Sequence, residues 1–457
     1  MAILTIRHIK RLALLAGFLP LLTAGGCVND SSDCPQTGDG DKELFHLEFA
    51  ISTRRTASGA GNIREGSTRA ADIDGEVHGC PAENFINIAD RDLQFLLFDG
   101  ERKFLQPLDL NDVREVYTAS DYSLYTFHTP VTAQYFKDNI GTTFSFYIMA
   151  LANGAKMGMT YPVPTVGETI EDVVSSTQGN ASNSLLTVKP VTSQLFSADI
   201  ANLQLFPMAG LQKFTVYGPD LRKGTEAQPY NISANGKEIN MLRAMAKIEV
   251  IDHVNFTGNY NDSYANDENR IAKVEINGIM NAGCILPAIG EWTNADVDET
   301  QQVDNPTIPA GASYQNPHPI GASNTLDPNN ADMINRVVID FNIDEYAMSL
   351  RSDNCPVYSC YIYEYALANL ADTQTPPYAR ITTKGRSVGG QTEGSRIIPM
   401  RISEYENGVA VRPVASLLRN HIYRYQINSI NQDNNVTVQW TVCPLDEVPV
   451  IVIPPFN

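Results

Sequence analysis

Apolar and polar residues alternate with a period of two over short stretches along most of this chain. ELFHLEFAIST sets Phe45, Leu47, Phe49 and Ile51 against His46, Glu48 and Ala50, the pattern of a half-buried strand. DLQFLLFDGERKFLQPL places Asp99-Gly100 between two apolar runs, which predicts a hairpin. YSLYTFHTPV, TTFSFYIMALAN, LQKFTVYG, RIAKVEINGIMNAGCILP, NRVVIDFNI, PVYSCYIYEYAL, ARITTKG, SRIIPMRI, HIYRYQINSI and NVTVQWTVCPL continue the series. INMLRAMAKIEVIDHVNF reads as helix at its start, but Ile248, Val250, Val254 and Phe256 favour a strand thereafter. Helical periodicity is confined to 130–138 and 168–176. Many short strands between Gly/Pro/Asn-rich connectors predict an all-β protein built of β-sandwiches. The polar stretch GPDLRKGTEAQPYNISANGKE divides the strands into two groups, residues 43–230 and 231–457. Two sandwich domains in tandem are expected, with strands too different in sequence to read as an internal repeat.

The two ends of the chain break this pattern. Residues 1–26 carry a basic start (Arg7, Lys10, Arg11), a short apolar run from Leu12 to Leu22, and the small residues Ala24, Gly25 and Gly26 before Cys27. The apolar run is too short for a bilayer, so the segment reads as an export signal. Small residues directly before a Cys resemble the bacterial lipobox, with Ala24 in place of its usual Leu. That resemblance implies lipid transfer to Cys27 and cleavage just before it. Residues 27–42, VNDSSDCPQTGDGDK after the Cys, read as a flexible acidic tether. At the other end VPVIVIPPFN is almost bare strand material, with Val448, Val450, Val452, Ile453 and Phe456, although termini are usually polar. Between β-like stretches, residues 54–80 form a long loop of small residues carrying Arg54, Arg55, Arg64 and Arg69. Loops of that length are uncommon in a compact domain unless they have a role, and exposed Arg in such a loop suits proteolytic nicking.

Composition narrows the function classes. The chain has 457 residues, enough for two or three domains. Fifty-two acidic against 33 basic residues give a formal net charge of −19, which argues against nucleic acid as a partner. Twenty Tyr and 17 Phe against 2 Trp suit aromatic pairing across strands. With Cys27 assigned to lipid, Cys34, Cys80, Cys284, Cys355, Cys360 and Cys443 remain, an even number in an exported chain that permits disulfides. Cys355 and Cys360 are near enough in sequence for a local bridge. Their spacing is wrong for a zinc ribbon, and no cofactor or metal is expected.

The chemistry of catalysis is sparse. The chain has no His-Glu-x-x-His, Gly-x-Ser-x-Gly or phosphate-cradling Gly-Lys-Ser/Thr motif. Its seven His are scattered; His46 reads as a strand surface residue and His421 as a local hydrogen-bonding group. The acidic runs at 38–43 and 294–300 lack the ligand spacing of a calcium loop. A carboxylate pair for glycoside hydrolysis remains open among so many Asp and Glu, and nothing points to one.

Several stretches together resemble the Bacteroidota-type fimbrillins, the subunits of type V pili with their anchor and tip relatives. They are the lipobox with its SDCP tether, STRAADIDG, LQFLLFDGERKFL, FYIMALAN, LFPMAG, LRAMAKIEV, LLRNHIYRYQI, VTVQWTVCPLD and IPPFN, in that order. The resemblance implies two transthyretin-like β-sandwiches, a non-enzymatic role, and a precursor carried to the outer membrane on the lipid at Cys27. It also implies an arginine-specific protease cutting between Arg69 and Ala70, with Arg54, Arg55 and Arg64 as competing sites. The strand of Phe45, Leu47, Phe49 and Ile51 is then a removable plug. The tail 447–457, with Val448, Val450, Val452, Ile453 and Phe456, is the strand donated to the next subunit. Other fimbrial subunits are the implied partners. Three alternatives stay open. The tail forms the last strand of its own domain; or the chain keeps its lipid as a pilus anchor or tip adhesin, which SDCP and a Cys34–Cys80 bridge straddling Arg69 would suit; or it is a surface glycan-binding lipoprotein or hydrolase.

Overall fold

The computed structural model describes residues 44–53, 86–88, 91–110, 112–118, 123–154, 161–179, 185–187, 206–234, 237–257, 266–277, 280, 282–288, 305–308, 336–340, 348–350, 355–366, 378–388, 391–431, 434 and 436–444. In chain order the first half holds β1 (Phe45–Ser52), β2 (Leu93–Phe98), β3 (Phe104–Pro107), β4 (Asp112–Thr118), β5 (Ser123–Val131), β6 (Thr143–Ala152), β7 (Leu185–Thr187), β8 (Met208–Tyr217), β9 (Tyr230–Asn231), β10 (Ile239–Asn240) and β11 (Leu242–Arg243). The second half holds β12 (Ala246–Asp252), β13 (Ile271–Asn277), β14 (Ala282–Cys284), β15 (Arg336–Asp340), β16 (Met348–Leu350), β17 (Pro356–Ile362), β18 (Tyr365–Ala366), β19 (Tyr378–Thr383), β20 (Arg386–Val388), β21 (Gln391–Glu393), β22 (Ile397–Arg401), β23 (Ser403–Glu406), β24 (Val409–Pro413), β25 (Ser416–Leu417), β26 (His421–Ile430) and β27 (Val436–Pro444). Helices are short: α1 (Gln134–Asn139), α2 (Ile170–Gly179) and α3 (Gly218–Leu221). The first two fall where helical periodicity was expected.

Four sheets make two sandwiches. The first sheet runs β4-β5-β1-β10, with β9 also on β1, and the second runs β3-β2-β6-β8-β11. Phe49 of β1 meets Phe95 of β2 at 5.1 Å between ring centroids, so these two sheets face one another. The third sheet runs β16-β17-β12-β26-β27 and the fourth β15-β13-β19-β22. Tyr358 of β17 donates to the Ile271 carbonyl of β13 at 2.6 Å, which closes that second layer pair. Both sandwiches lie in one compact unit, Glu43–Asn457.

The two sandwiches repeat one topology. Taking eight strands in order, the first sandwich uses β1, β2, β3, β4, β5, β6, β8 and β10. The second uses β12, β13, β15, β16, β17, β19, β22 and β26, with every strand in the corresponding place. Pairing sense agrees as well: β1 is antiparallel to β5 and parallel to β10, and β12 is antiparallel to β17 and parallel to β26. The repeat is invisible in the sequence because a pleated strand needs only alternate apolar positions. The second sandwich adds β27 beside β26.

Sheet membership changes from one sandwich to the other between Arg243 and Ala246, later in the chain than the 230/231 boundary expected. Strands β9, β10 and β11 pair with β1 and β8. Within the polar stretch, β9 and β10 belong to the sheet of the first sandwich. INMLRAMAKIEV, expected to start as helix, is extended from Ile239 on. Backbone pairing to β1 and β8 overrides the helix propensity of Met, Leu and Ala.

Local chemistry accounts for the tight turns. Between β2 and β3 the Asp99 carboxylate accepts from the amides of Glu101 and Lys103 at 2.8 and 2.9 Å, and the Asp99-Gly100 hairpin forms as expected. At α2 the Thr169 hydroxyl accepts from the Asp172 amide at 3.1 Å while the Asp172 carboxylate accepts from the Thr169 amide at 3.0 Å, a reciprocal cap. No helix among the described residues is long and apolar enough to cross a membrane.

The local disulfide expected between Cys355 and Cys360 does not form. Cys284, Cys355 and Cys360 are buried, unbridged thiols, and Cys355 donates to the Asp252 carbonyl at 3.0 Å. On an extended strand an offset of five directs side chains to opposite faces; Cys360 joins the main core and Cys355 a separate small cluster with Ile251 and Val357. Burial pushes the Cys284 thiol up to about 11, with Arg419 opposing and Glu364 reinforcing the shift, and burial raises Cys360 further. Such thiols are inert. An impermeant thiol reagent is therefore expected to leave the peptides of all three unmodified in the native protein and to alkylate them in denaturant. A mass two hydrogens short on the 355–360 peptide would contradict this. The crowding at Gly283 gives a second expectation: an added Cβ would overlap the buried Tyr363 ring. Gly283→Ala should cost about 1–3 kcal/mol in denaturant unfolding. Gly141→Ala, where a Cβ meets nothing within 4 Å, should leave the midpoint within about 0.5 kcal/mol.

Candidate functional site

Strand β1 is the first described element, yet it lies inside a sheet rather than at its edge. All eight of its residues are in register with β5, from Phe45 opposite Val131 to Ser52 opposite Leu124. Along its other side β9 and β10 pair in parallel, Leu47 with Tyr230 and Ile51 with Ile239. Backbone bonds from Ile232 to the Glu48 carbonyl and from Met241 to the Ser52 carbonyl, each 2.8 Å, complete that side. Between them the Ala50 amide donates to the Ser233 hydroxyl at 2.8 Å. Two short strands and a serine thus replace one continuous neighbour, and both edges of β1 are satisfied.

The inward face of β1 is apolar throughout. Phe45, Leu47, Phe49 and Ile51 are at most 1% exposed, as their alternation predicts. Phe49 sits between Phe95 at 5.1 Å and Phe127 at 5.5 Å, and Phe45 meets Phe136 of α1 at 6.0 Å. Burying four such side chains stabilises the sandwich by roughly 6–12 kcal/mol gross, at about 1.5–3 kcal/mol each. On the outward face His46 and Glu48 are half-buried, and Ala50 and Ser52 are buried. His46 and His128 are 3.2 Å apart, Nδ1 to Nε2, and Glu48 accepts from Asn231 at 3.2 Å.

The C-terminal end of β1 is tied to the second sandwich. The Thr53 carbonyl accepts from Arg243 Nη2 at 3.0 Å, and Arg243 Nη1 donates to Asn420 Oδ1 at 3.0 Å. The Asn420 amide in turn donates to the Met245 carbonyl at 2.8 Å. Arg243 is 2% exposed, so its charge stays folded in only because polar atoms surround it. Beside it Arg419 is fully buried and holds Glu364 at 2.7 Å and the carbonyls of Ile285 and Cys284 at 2.7 and 3.1 Å. The turn that carries both residues places Asn420 at φ +57°, a conformation Asn tolerates.

Of the residues singled out in the sequence, Phe45, Leu47, Phe49 and Ile51 come together on one buried face. Cys27, Arg69, Ala70 and the tail residues Val448, Val450, Val452, Ile453 and Phe456 lie outside the described residues. The nearest described point to the tail is Pro444, which ends β27 and pairs with His421 of β26. His421 bonds locally, Nδ1 to the Arg419 carbonyl at 2.7 Å, as expected. Thr53, Arg243 and Asn420 were not foreseen as one site, being far apart in sequence. The available signal was a basic residue inside otherwise apolar strand material, in LRAMAKIEV and again in LLRNHIYRYQI.

No protein-family model matches this chain, and no curated protein matches it. Solved structures of similar shape include the tip fimbrial protein Mfa3 from Porphyromonas gingivalis with C-terminal truncation, at 14% identity and a TM-score of 0.43, covering 87% of this chain and 99% of that one. A fimbrilin (FimA) from Porphyromonas gingivalis aligns at 12% identity and 0.41, covering 88% and 98%. A fimbrial assembly protein from Parabacteroides distasonis aligns at 11% and 0.39, covering 90% and 100%.

The Asn420 side chain carries a testable share of the tie between the sandwiches. Asn420→Gly keeps the left-handed backbone and removes, with the side chain, the Oδ1 acceptor of Arg243. Leaving that buried guanidinium short of one partner should cost about 1–3 kcal/mol in urea unfolding. Asn420→Asp, which restores an acceptor, should recover most of it.

Proposed function

We propose that this chain is a structural subunit of a surface fimbria, exported as a lipoprotein through Cys27 and assembled by strand exchange after proteolysis. It works as a building block, not as a catalyst. The observation that carries the reading is the position of β1: an apolar strand whose Phe45, Leu47, Phe49 and Ile51 are buried, inside a sheet, and the first of the described strands. With Cys34 and Cys80 unbridged, one cut after Arg69 leaves it held by non-covalent bonds alone. Its departure would leave the β5 edge and the short β9 and β10 segments without partners, above a groove lined by Phe95, Phe127 and Phe136. Such an edge does not persist in water; it closes, or it takes up another strand.

The tail 447–457 has the chemistry to be that strand, supplied by the next subunit. Val448, Val450, Val452, Ile453 and Phe456 match the apolar content of β1. Main-chain bonds to β5 would give affinity, and the side chains filling the groove would set register. Pro449, Pro454 and Pro455 lack amide donors, which fits a strand seated on one good edge better than a central one. Arg69 and Ala70 flank the proposed cut, with an arginine-specific protease as the processing partner. The partners in assembly are other fimbrial subunits, and the location is the outer surface of the cell.

N-terminal sequencing and intact mass of the protein taken from the cell surface test this reading. A chain that starts at Ala70 without lipid is expected. Arg69→Ala should then leave the precursor uncut and abolish the high-mass ladder of polymer on a mild detergent gel. A lipidated start at Cys27 in the assembled material would overturn strand exchange by this chain and favour a retained anchor or tip adhesin.

A further inference from the structure

We propose that His46 and His128 form a two-imidazole chelate for a divalent transition-metal ion of the zinc class, and that the ion fastens β1 to β5. The two rings stand on adjacent strands of the first sheet. His46 pairs with Pro130 and Glu48 with His128 in the β1–β5 register, so both imidazoles project from the outward face, one diagonal step apart. Their nearest nitrogens, Nδ1 of His46 and Nε2 of His128, are 3.2 Å apart with ring centroids at 5.4 Å. Two imidazole nitrogens held at about 2.0–2.1 Å by one zinc ion lie roughly 3–3.4 Å apart, depending on the coordination angle. The pair is therefore already spaced for a shared ion, with no strand movement required.

The surroundings favour a cation. Glu48 is the cross-strand partner of His128 in the β1–β5 register. Glu48 is held by Asn231 of β9 at 3.2 Å, which keeps a carboxylate on the same outward face as the rings. Both rings are only half-buried, so a hydrated ion can reach them. Imidazole is the ligand that zinc, copper and nickel take readily. Among the described residues no group of three or more His, Cys, Asp and Glu is gathered for a metal, so water completes the coordination and the site is open.

The proton balance is simple. Without metal, one ring donates its N–H to the lone pair of the other. Binding needs a lone pair on both facing nitrogens, so the donor ring moves its proton to its other nitrogen, a tautomer change with no net proton released from neutral rings. The ion then forms two N–metal bonds and loses two waters.

Such a chelate adds a cross-strand bond to the strand that strand exchange must withdraw. Metal binding stands on the geometry alone; its effect on assembly rests on the fimbrial reading above. The test is calorimetric titration of the full chain, carrying no polyhistidine tag, with Zn²⁺ and with Ni²⁺. One ion per chain is expected, with His46→Ala and His128→Ala each weakening affinity at least about tenfold by loss of chelation. His128→Gln serves as a second variant with the bulk retained; circular dichroism checks that each folds. Saturating Zn²⁺ should also slow amide exchange in residues 45–52 several-fold in the parent and not in the variants. Absent binding, or affinity unchanged by either substitution, overturns the site. Binding without slower exchange overturns the fastening. If the chain is never cut at Arg69, the fimbrial reading fails while His-dependent binding and exchange still judge this proposal.

Discussion

The structure depends on one arrangement: the first strand of the fold is hydrogen-bonded along both edges. Strand β1 shares a full eight-residue register with β5 and is bridged on its far side by β9, Ser233 and β10. An interior strand cannot be lost without stranding the amides and carbonyls of its neighbours, and buried unpaired backbone is costly. The apolar face beneath it, packed on Phe95, Phe127 and Phe136, has the same dependence. Everything in the first sandwich is therefore built around this segment, whose neighbours β5, β9 and β10 all come from later in the chain.

The repeat of topology sets β1 beside its counterpart. Strand β12 occupies in the second sandwich the place of β1 in the first. It too lies between an antiparallel and a parallel neighbour. But β12 follows directly on β11, and both its faces are buried, with Lys247 and Glu249 paired at 3.0 Å and Glu249 held by Arg424 at 2.7 Å. A cut cannot free it, and a buried charge cluster of that kind is costly to break. Strand β1 differs on both counts: its outward His46 and Glu48 are half-exposed, and residues 54–85 separate it in sequence from Ile86, the next described residue.

The two sandwiches are joined by buried polar bonds that converge on the Arg419-Asn420 turn. Arg243 reaches Thr53 and Asn420, while Arg419 reaches Glu364, Ile285 and Cys284. These guanidiniums lie where apolar packing alone would leave the relative placement of strands free, and their directed donors fix it. The end of β1 is one of the acceptors. The strand that the first sandwich requires is thereby also in contact with the turn that opens β26, next to β27.

Period-two alternation identified most of the longer strands, though not β4, β23 or β24, together with the inward set Phe45, Leu47, Phe49 and Ile51 and the Asp99-Gly100 hairpin, because these follow from side-chain direction and turn chemistry within a few residues. It failed at 239–243, where helix-forming residues are drawn into strands by β1 and β8, and at Cys355 and Cys360, where nearness in sequence hid opposite faces. The pairing partners could not be read at all. That β1 is interior, that His46 meets His128, and that Arg243 meets Asn420 are consequences of register between distant segments. An alternating strand offers equivalent edges to many partners, so its sequence determines which face is buried, while only the assembled sheets decide which neighbour it finds.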